Sequence, residues 1–439
     1  MNRVAVIGSG ISGLAAAWQL SAQHSQVAVT LFEAGSHFGG HANTIDLTLD
    51  GVTHGVDTGF LVYNERTYPR LIRLFDELGV DRAASEMSFS VQAPSADGRP
   101  GLEWSGSSLD TVFAQRSNLL RPRFWGMLAD IVRFNRLTSA LADSGDEAQL
   151  VQPIAEFLHG HGFGVAFRDD YLLPMIGCIW SCPTDQMLQF PIATLIRFCH
   201  NHGLIQITRR PQWFTVRGGS RQYVRKMLPR LADARLDTPV RSVKRLPSSV
   251  LVQTDAGTEC FDAVIFACHA PQALAILAAN ASTAERGVLG AIRYQPNTAV
   301  LHTDASVLPR RTAAWAAWNY ERAADTPREQ ARVCLHYLIN RLQPLPWRQP
   351  VIVSLNPVRP IDEQKVRQRI EYAHPVFDLG AIAAQRRVPQ LQGKQRTWFC
   401  GAWCGYGFHE DGLKSGLAAA DAVAAALPLM SRSEQRAVA

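Results

Sequence analysis

The chain opens on an unbroken apolar run, Val4 to Ile7, which predicts a strand buried on both faces, as in the middle of a parallel sheet. Ile11, Leu14, Ala15, Trp18 and Leu20 then fall near helical spacing, and Ala15 to Ala17 let that helix pack closely on the sheet. Val27 to Phe32 predicts a second parallel strand. Asn43 to Leu49 alternates polar and apolar, Asp50-Gly51 signals a turn, and Val52 to Val56 completes a hairpin. Leu71, Leu74, Phe75 and Leu78 predict an amphipathic helix within Thr67 to Gly79, closed by the glycine. Short strands are expected at Met87 to Val91 and Gly101 to Trp104, with loops at Pro94 to Pro100 and Asp143 to Glu147. A helix should begin at Ile154 to Leu158. Tyr171 to Trp180 is long and apolar but broken by Pro174 and Gly177, which argues for a buried helix lining a cavity. A strand at Thr215-Val216, a turn at Gly218-Gly219 and a helix from near Ser220 follow. Short strands come next at Val240 to Val243, Val250 to Thr254 and Phe261 to Ala267. Ala299 to Thr303 and Arg332 to Leu338 have period 2, and Thr397 to Trp403 is a strand leading through a glycine-rich turn to an alanine-rich helix.

The join between the first strand and helix carries chemistry. Gly8, Gly10 and Gly13 form GxGxxG: Gly8 for the tight turn, Gly10 for approach of a pyrophosphate, Gly13 for helix–strand contact. The free N–H groups at Ile11 and Ser12 and the positive helix end then face the phosphates. Glu33, 25 residues after Gly8 at the end of the second strand, suits the ribose hydroxyls of an adenosine and would repel a 2′-phosphate. These residues alone leave NAD and FAD open.

Length and charge add limits. A chain of 439 residues, 47% hydrophobic and 19% charged, suggests two intertwined domains rather than one core. The net charge of +6 fits a phosphate-rich cofactor, an acidic lipid surface or a nucleic acid, and no motif supports the last. Met1-Asn2-Arg3 leads straight into the first strand, and no run of about 18 apolar residues exists to span a bilayer. A cytoplasmic location is expected, with any membrane contact peripheral at the inner face. The cysteines lack metal-site or redox spacing, and no metal is expected. Residues 112 to 137 mix aromatic and aliphatic side chains with Arg116, Arg121, Arg123, Arg133 and Arg136. That pattern fits either a lipid headgroup layer or an amphipathic helix pair with solvated arginines. In His200-Asn201-His202-Gly203, imidazoles two apart diverge on a helix, so a C-terminal cap by Gly203 and cationic histidine is expected, not a metal site.

The run Ala34-Gly35-Ser36-His37-Phe38-Gly39-Gly40-His41 resembles the glycine-paired loop of FAD oxidoreductases in the flavin-containing amine oxidase and phytoene desaturase superfamily. His41 stands where that loop usually has arginine. The resemblance extends through Asp57-Thr58-Gly59-Phe60, the strand Asp262 to Cys268, and the segment from Cys400-Gly401-Ala402 to Gly416. The strings GFLVYNERTYP, RGGSR and GYGFHEDGLKSG are most similar to bacterial amine-oxidase-like flavoproteins and to the flavin domain preceding the methyltransferase in plant cyclopropane fatty acid synthases. It implies an α/β fold. A discontinuous Rossmann-type FAD-binding domain (1–65, 212–285, 395–427) would interleave with an α+β substrate domain (66–211, 286–394), ahead of a flexible tail at 428–439.

The resemblance also implies non-covalent FAD. Gly8, Gly10, Ile11, Ser12, Gly13, Glu33 and Ala34 would hold its dinucleotide end, and the loop with Gly40 and His41 would bring backbone close to the flavin. Thr58, Gly59 and Phe60 would lie beside the isoalloxazine and Val240 at the adenine, with Gly401 and Ala402 at the pyrophosphate. Asp411, Gly412 and Leu413 would offer N–H groups to flavin O2 and N1, stabilising the reduced, anionic form. His409 and Glu410 are candidate acid–base residues beside that edge, with capping of the last helix as their other reading. Lys414 is the one cation near that edge in a matched motif. No lysine stands on the strand around Tyr294 to Leu301, where amine oxidases generally carry one. The expected activity is hydride removal from a hydrophobic substrate, such as a lipid or acyl chain. The other readings are an amine oxidase and a flavin-bound, non-catalytic partner of a lipid-modifying methyltransferase.

Overall fold

In the computed structural model, residues 1–94, 101–144, 152–180, 183–202, 211–323 and 333–438 are described. The expected loops at Pro94 to Pro100 and Asp143 to Glu147, and Gly203, lie largely outside them. Five parallel strands form the central sheet in the spatial order Asp233–Arg235, Val27–Phe32, Asn2–Ile7, Ala263–Phe266, Thr397–Phe399. All five come from the three segments read as the cofactor domain. About 200 residues separate the second strand from its outer neighbour, so the domain is assembled from distant parts of the chain.

Register decides what this sheet can do. Ile7 pairs with both Phe32 and Phe266, Phe32 with Arg235, and Phe266 with Phe399. The carboxyl ends therefore finish level, and the residues just beyond them, Glu33, Gly8, Ala267 and Gly401, share one rim. A crevice at the carboxyl ends of parallel strands is where such sheets bind ligands.

Two helices cover one face of the sheet and touch each other. Gly8 takes φ +103° to turn the chain into the helix Ile11–Gln23. A Cβ on Gly13 would lie 1.9 Å from the Gly8 carbonyl oxygen, and one on Gly416 would lie 2.1 Å from that of Ser12. Only glycine lets the helix His409–Val438 pack this closely on the first one. That helix continues to Val438, so residues 428–438, expected as a tail, are helical, with Pro428 inside the helix.

A seven-stranded sheet lies in the other part, ordered Val366–Pro375, Tyr294–His302, Ile352–Leu355, Cys334–Leu338, Trp318–Glu321, Phe89–Ala93, Leu102–Ser105. Strand alternation separates its faces. Trp318, Tyr337, Val353, Leu355, Ile370, Tyr372 and His374 face a cavity. On the opposite face runs a buried polar ladder. His302 Nε2 and His336 Nδ1 each lie 2.7 Å from Ser354 Oγ, and His336 Nε2 lies 2.8 Å from Glu321, which also pairs with Arg359. Glu321, Cys334 and His336 present possible metal-ligand atoms within 4.8 Å of one another, a grouping that cysteine spacing did not disclose. The Arg359 and His336 partners already compensate Glu321 there.

The hairpin forms as expected, Thr44–Leu49 against Val52–Asp57, with Asp50 and Gly51 both at positive φ. Residues 112–137 form a short turn and one long helix, Pro122–Ser144, rather than a helix pair.

Candidate active site

A cavity of about 760 Å³ runs from the rim of the parallel sheet to the inner face of the seven-stranded sheet. At its first end Glu33 is held in place: Oε2 accepts from the Ser9 N–H and hydroxyl, and Oε1 from the Gly35 N–H. Ala34, Thr238, Pro239 and Val240 line the same end. Gly8, Gly10, Ile11, Ser12, Gly40 and His41 line the middle, with Gly401 and Ala402 beside them. Thr58, Gly59 and Phe60 come next, placed by Asp57.

Asp57 is almost fully buried. It accepts hydrogen bonds from the Ser220 N–H and hydroxyl, Thr44 Oγ1 and Gln343 Nε2 at 2.6–3.0 Å. Gly218 and Gly219, at φ +78° and +94°, turn the backbone so that the Ser220 N–H reaches it. Burial pushes the Asp57 carboxyl up to about 6, against the pull of those donors.

Histidines dominate the middle of the cavity. The His41 ring stacks on Tyr372 at 4.8 Å and lies 5.3 Å from His374 and 6.3 Å from His269, and His269 stacks on Tyr294 at 4.2 Å. Burial is the largest cause holding each of these imidazoles neutral. His269 and His374 are lowered to about 4, and His41 well below its ordinary value with its histidine neighbours adding to the effect. Where the sequence lacks a lysine, the strand Tyr294–His302 supplies Asn297. The Thr298 N–H donates to Asn356 Oδ1, Asn356 Nδ2 to Asn297 Oδ1, and Asn297 Nδ2 to His374 Nδ1 at 2.8 Å. This chain of donors leaves the His374 proton on Nε2.

His409 joins the site and its two expected companions do not. Its ring lies 3.7 Å from Phe60, stacked, with Nε2 3.1 Å from the Tyr223 hydroxyl, and burial lowers it to about 3. Glu410 faces away and accepts the Arg70 and Leu71 N–H groups, both at 3.0 Å. It thus caps the neighbouring helix Pro69–Leu78, neither its own helix nor a reacting group. Lys414 is exposed and outside the cavity lining. Asp411, Gly412 and Leu413 are also outside the lining. The Gly412 N–H donates to Phe408 O, and the Asp411 carboxylate accepts from Tyr406 and Phe408 N–H groups. The turn 406–409, one step earlier, is what meets the cavity. Gly13 lies beneath the lining, in the packing position its spacing suggested.

His202 is a further correction. Its Nδ1 lies 2.9 Å from Phe198 O, and burial lowers it to about 4, so it is a neutral wall of the cavity rather than a cationic cap. The sequence reading also passed over His269 and Tyr372. Signals existed for both: His269 follows a parallel strand at the rim, and Ile370, Tyr372 and His374 share one face by period 2.

A dinucleotide fits the end of this cavity at the rim of the parallel sheet on two observations. Gly10 has φ −60°, open to any residue, yet a Cβ there would meet nothing within 4 Å, so its missing side chain leaves room on the cavity side. His41 Nε2 is buried without a hydrogen-bond partner among the described residues. An acceptor from a bound molecule would satisfy it. The fold and site thus define a dinucleotide-dependent oxidoreductase whose cofactor crevice continues into a cavity with largely apolar walls.

The family model for flavin-containing amine oxidoreductases matches residues 11–304, and the chain belongs to this family. A search of curated proteins gave no match. Among solved structures, a protoporphyrinogen oxidase candidate from Exiguobacterium sp. 255-15 is 17% identical, with TM-score 0.65 over 96% of this chain and 98% of its own. A putrescine oxidase triple mutant is 17% identical, with TM-score 0.65 over 97% and 99%. A fatty acid isomerase from P. acnes that produces CLA is 16% identical, with TM-score 0.64 over 97% and 99%. The cofactor is FAD, which supplies acceptance of a hydride when bound.

Proposed function

We propose that this FAD-dependent oxidoreductase takes hydride from a hydrophobic substrate, a lipid or acyl chain. The observation that carries the reading is the far end of the cavity. Its walls include Met87, Ile179, Trp180, Phe198, Trp318 and Leu355. The carboxylates among the lining residues are Glu33, at the ribose end, and Glu371, tied to Thr298 Oγ1. Such walls exclude water and hold an apolar chain by area, at roughly 25 cal/mol per Å² buried. The neutral imidazoles of His41, His269, His374 and His409 offer hydrogen bonds without a fixed charge to trap a cation.

Anaerobic mixing tests this. Yellow holoenzyme should bleach on adding an unsaturated fatty acid or phospholipid and stay yellow with putrescine or benzylamine. Bleaching by the amines alone would replace the lipid reading with amine oxidation. No bleaching by either, with a methyltransferase co-purifying, would make the protein a partner without turnover of its own.

A further inference from the structure

The turn before the helix Pro122–Ser144 is built to stand out of the protein. Of the nine large apolar side chains exposed among the described residues, five fall between 109 and 132: Leu109, Leu119, Leu120, Trp125 and Val132. Leu120 is 87% exposed, on a 3-10 turn, Arg116–Leu120, rather than at a chain end. The turn is held from within. Trp125 Nε1 donates to the Leu119 carbonyl at 3.0 Å, Phe113 packs on Trp125 at 5.3 Å, and the buried Phe124 anchors the helix start on Trp104. The exposure is a property of the fold, not of a fraying end.

Charge surrounds the same tip. Asp110 is the one acid among residues 109–129, against Arg116, Arg121 and Arg123. Arg116 pairs with Asp110, and Arg123 shares Asp170 with Arg322, so guanidinium groups outnumber carboxylates in these pairings beside the apolar tip. Along the helix, Trp125, Ala129, Val132 and Arg136 fall on one outward stripe. An indole with its N–H satisfied, projecting leucines and flanking guanidinium groups match the boundary between acyl chains and anionic headgroups.

We propose that Leu119, Leu120 and Trp125, flanked by Arg116, Arg121 and Arg123, dock the protein on the surface of an anionic phospholipid bilayer. Docking is peripheral: no helix of the described residues is long and apolar enough to cross a membrane. The proposal does not depend on the substrate assigned above, since vesicle binding is read without turnover.

The test is co-sedimentation of FAD-loaded protein with large vesicles of phosphatidylcholine containing about one-third phosphatidylglycerol, beside pure phosphatidylcholine vesicles. Wild type should pellet with the anionic vesicles, less so as salt is raised, and remain in solution with the neutral ones. The double variant Leu119→Glu/Leu120→Glu should lose at least about ten-fold in partitioning. Leu379→Glu, at an exposed site elsewhere, should bind as wild type does. Flavin absorbance and the melting temperature report whether the double variant stays folded; Arg116→Gln/Arg121→Gln, which should weaken binding and its salt dependence, serves if it does not. Equal binding by wild type and both double variants, or no binding to anionic vesicles, overturns the proposal. So does a wild-type dimer in light scattering that Leu120→Glu dissociates, since the patch would then face a second copy of the chain.

Discussion

Gly10→Ala separates the two reasons a glycine can stand in this motif. At Gly10 the backbone is ordinary, φ −60° and ψ 174°, and an added Cβ touches no protein atom within 4 Å. The apoprotein should therefore fold normally and gain about 0.4–1 kcal/mol, because alanine reduces the freedom of the unfolded chain. The methyl instead enters the space assigned to the pyrophosphate, where overpacking costs about 1–3 kcal/mol, or roughly five- to 150-fold in FAD affinity. At FAD about 100 times the wild-type Kd, the cofactor stabilises by about 2.7 kcal/mol; a ten-fold weaker Kd removes about half of that. Melts of stripped protein with and without FAD, and titration by flavin fluorescence, measure both effects. Gly13→Ala is the contrast, since its Cβ would meet Gly8 O at 1.9 Å and the apoprotein itself should melt lower. An unchanged FAD affinity in Gly10→Ala, or an apoprotein destabilised as much as Gly13→Ala, would refute this placement of the cofactor.

Other expectations follow from the same geometry. Asp57→Ala strands the Ser220 N–H, Thr44 hydroxyl and Gln343 amide, and should cost about 3 kcal/mol or more in chemical denaturation; Asp57→Asn should cost less. Glu410→Ala should lower stability by about 1 kcal/mol through loss of the cap on Pro69–Leu78. Its anaerobic flavin reduction rate should match wild type, and a loss of 100-fold or more would restore Glu410 to the chemistry. Apoprotein stability should fall as pH drops from about 6.5 to 4. His202, His269, His302 and His374 are lowered to about 4, His409 to about 3, and His41 also downward, so the unfolded chain binds their protons first. Asp57 and Asp411, raised to about 6, and Glu410, also raised by burial, bind protons in the folded state and oppose this, but are outnumbered. Denaturant midpoints across that range check the sign, and a rise in stability on acidification would contradict it.

The dinucleotide end was legible because its signals are local. A buried strand, GxGxxG, a small-faced helix and an acid after the next strand lie within 33 residues, and each residue's role follows from its own backbone. The substrate end was not. Tyr294, His269 and the pair Tyr372 and His374 come from three separate elements, and only the pairing of Tyr294–His302 with Val366–Pro375 and the level ends of the parallel strands bring their rings together. The sequence likewise marked His409, Glu410 and Lys414 as one group. A helix turns successive side chains by about 100°, so His409 entered the cavity, Glu410 capped a neighbouring helix and Lys414 met solvent. Sequence by itself determined which backbone could approach a pyrophosphate, because glycine spacing and strand burial are properties of one short stretch. Only the tertiary structure decided which side chains share the chamber, because that depends on strand register and helix rotation summed over distant segments.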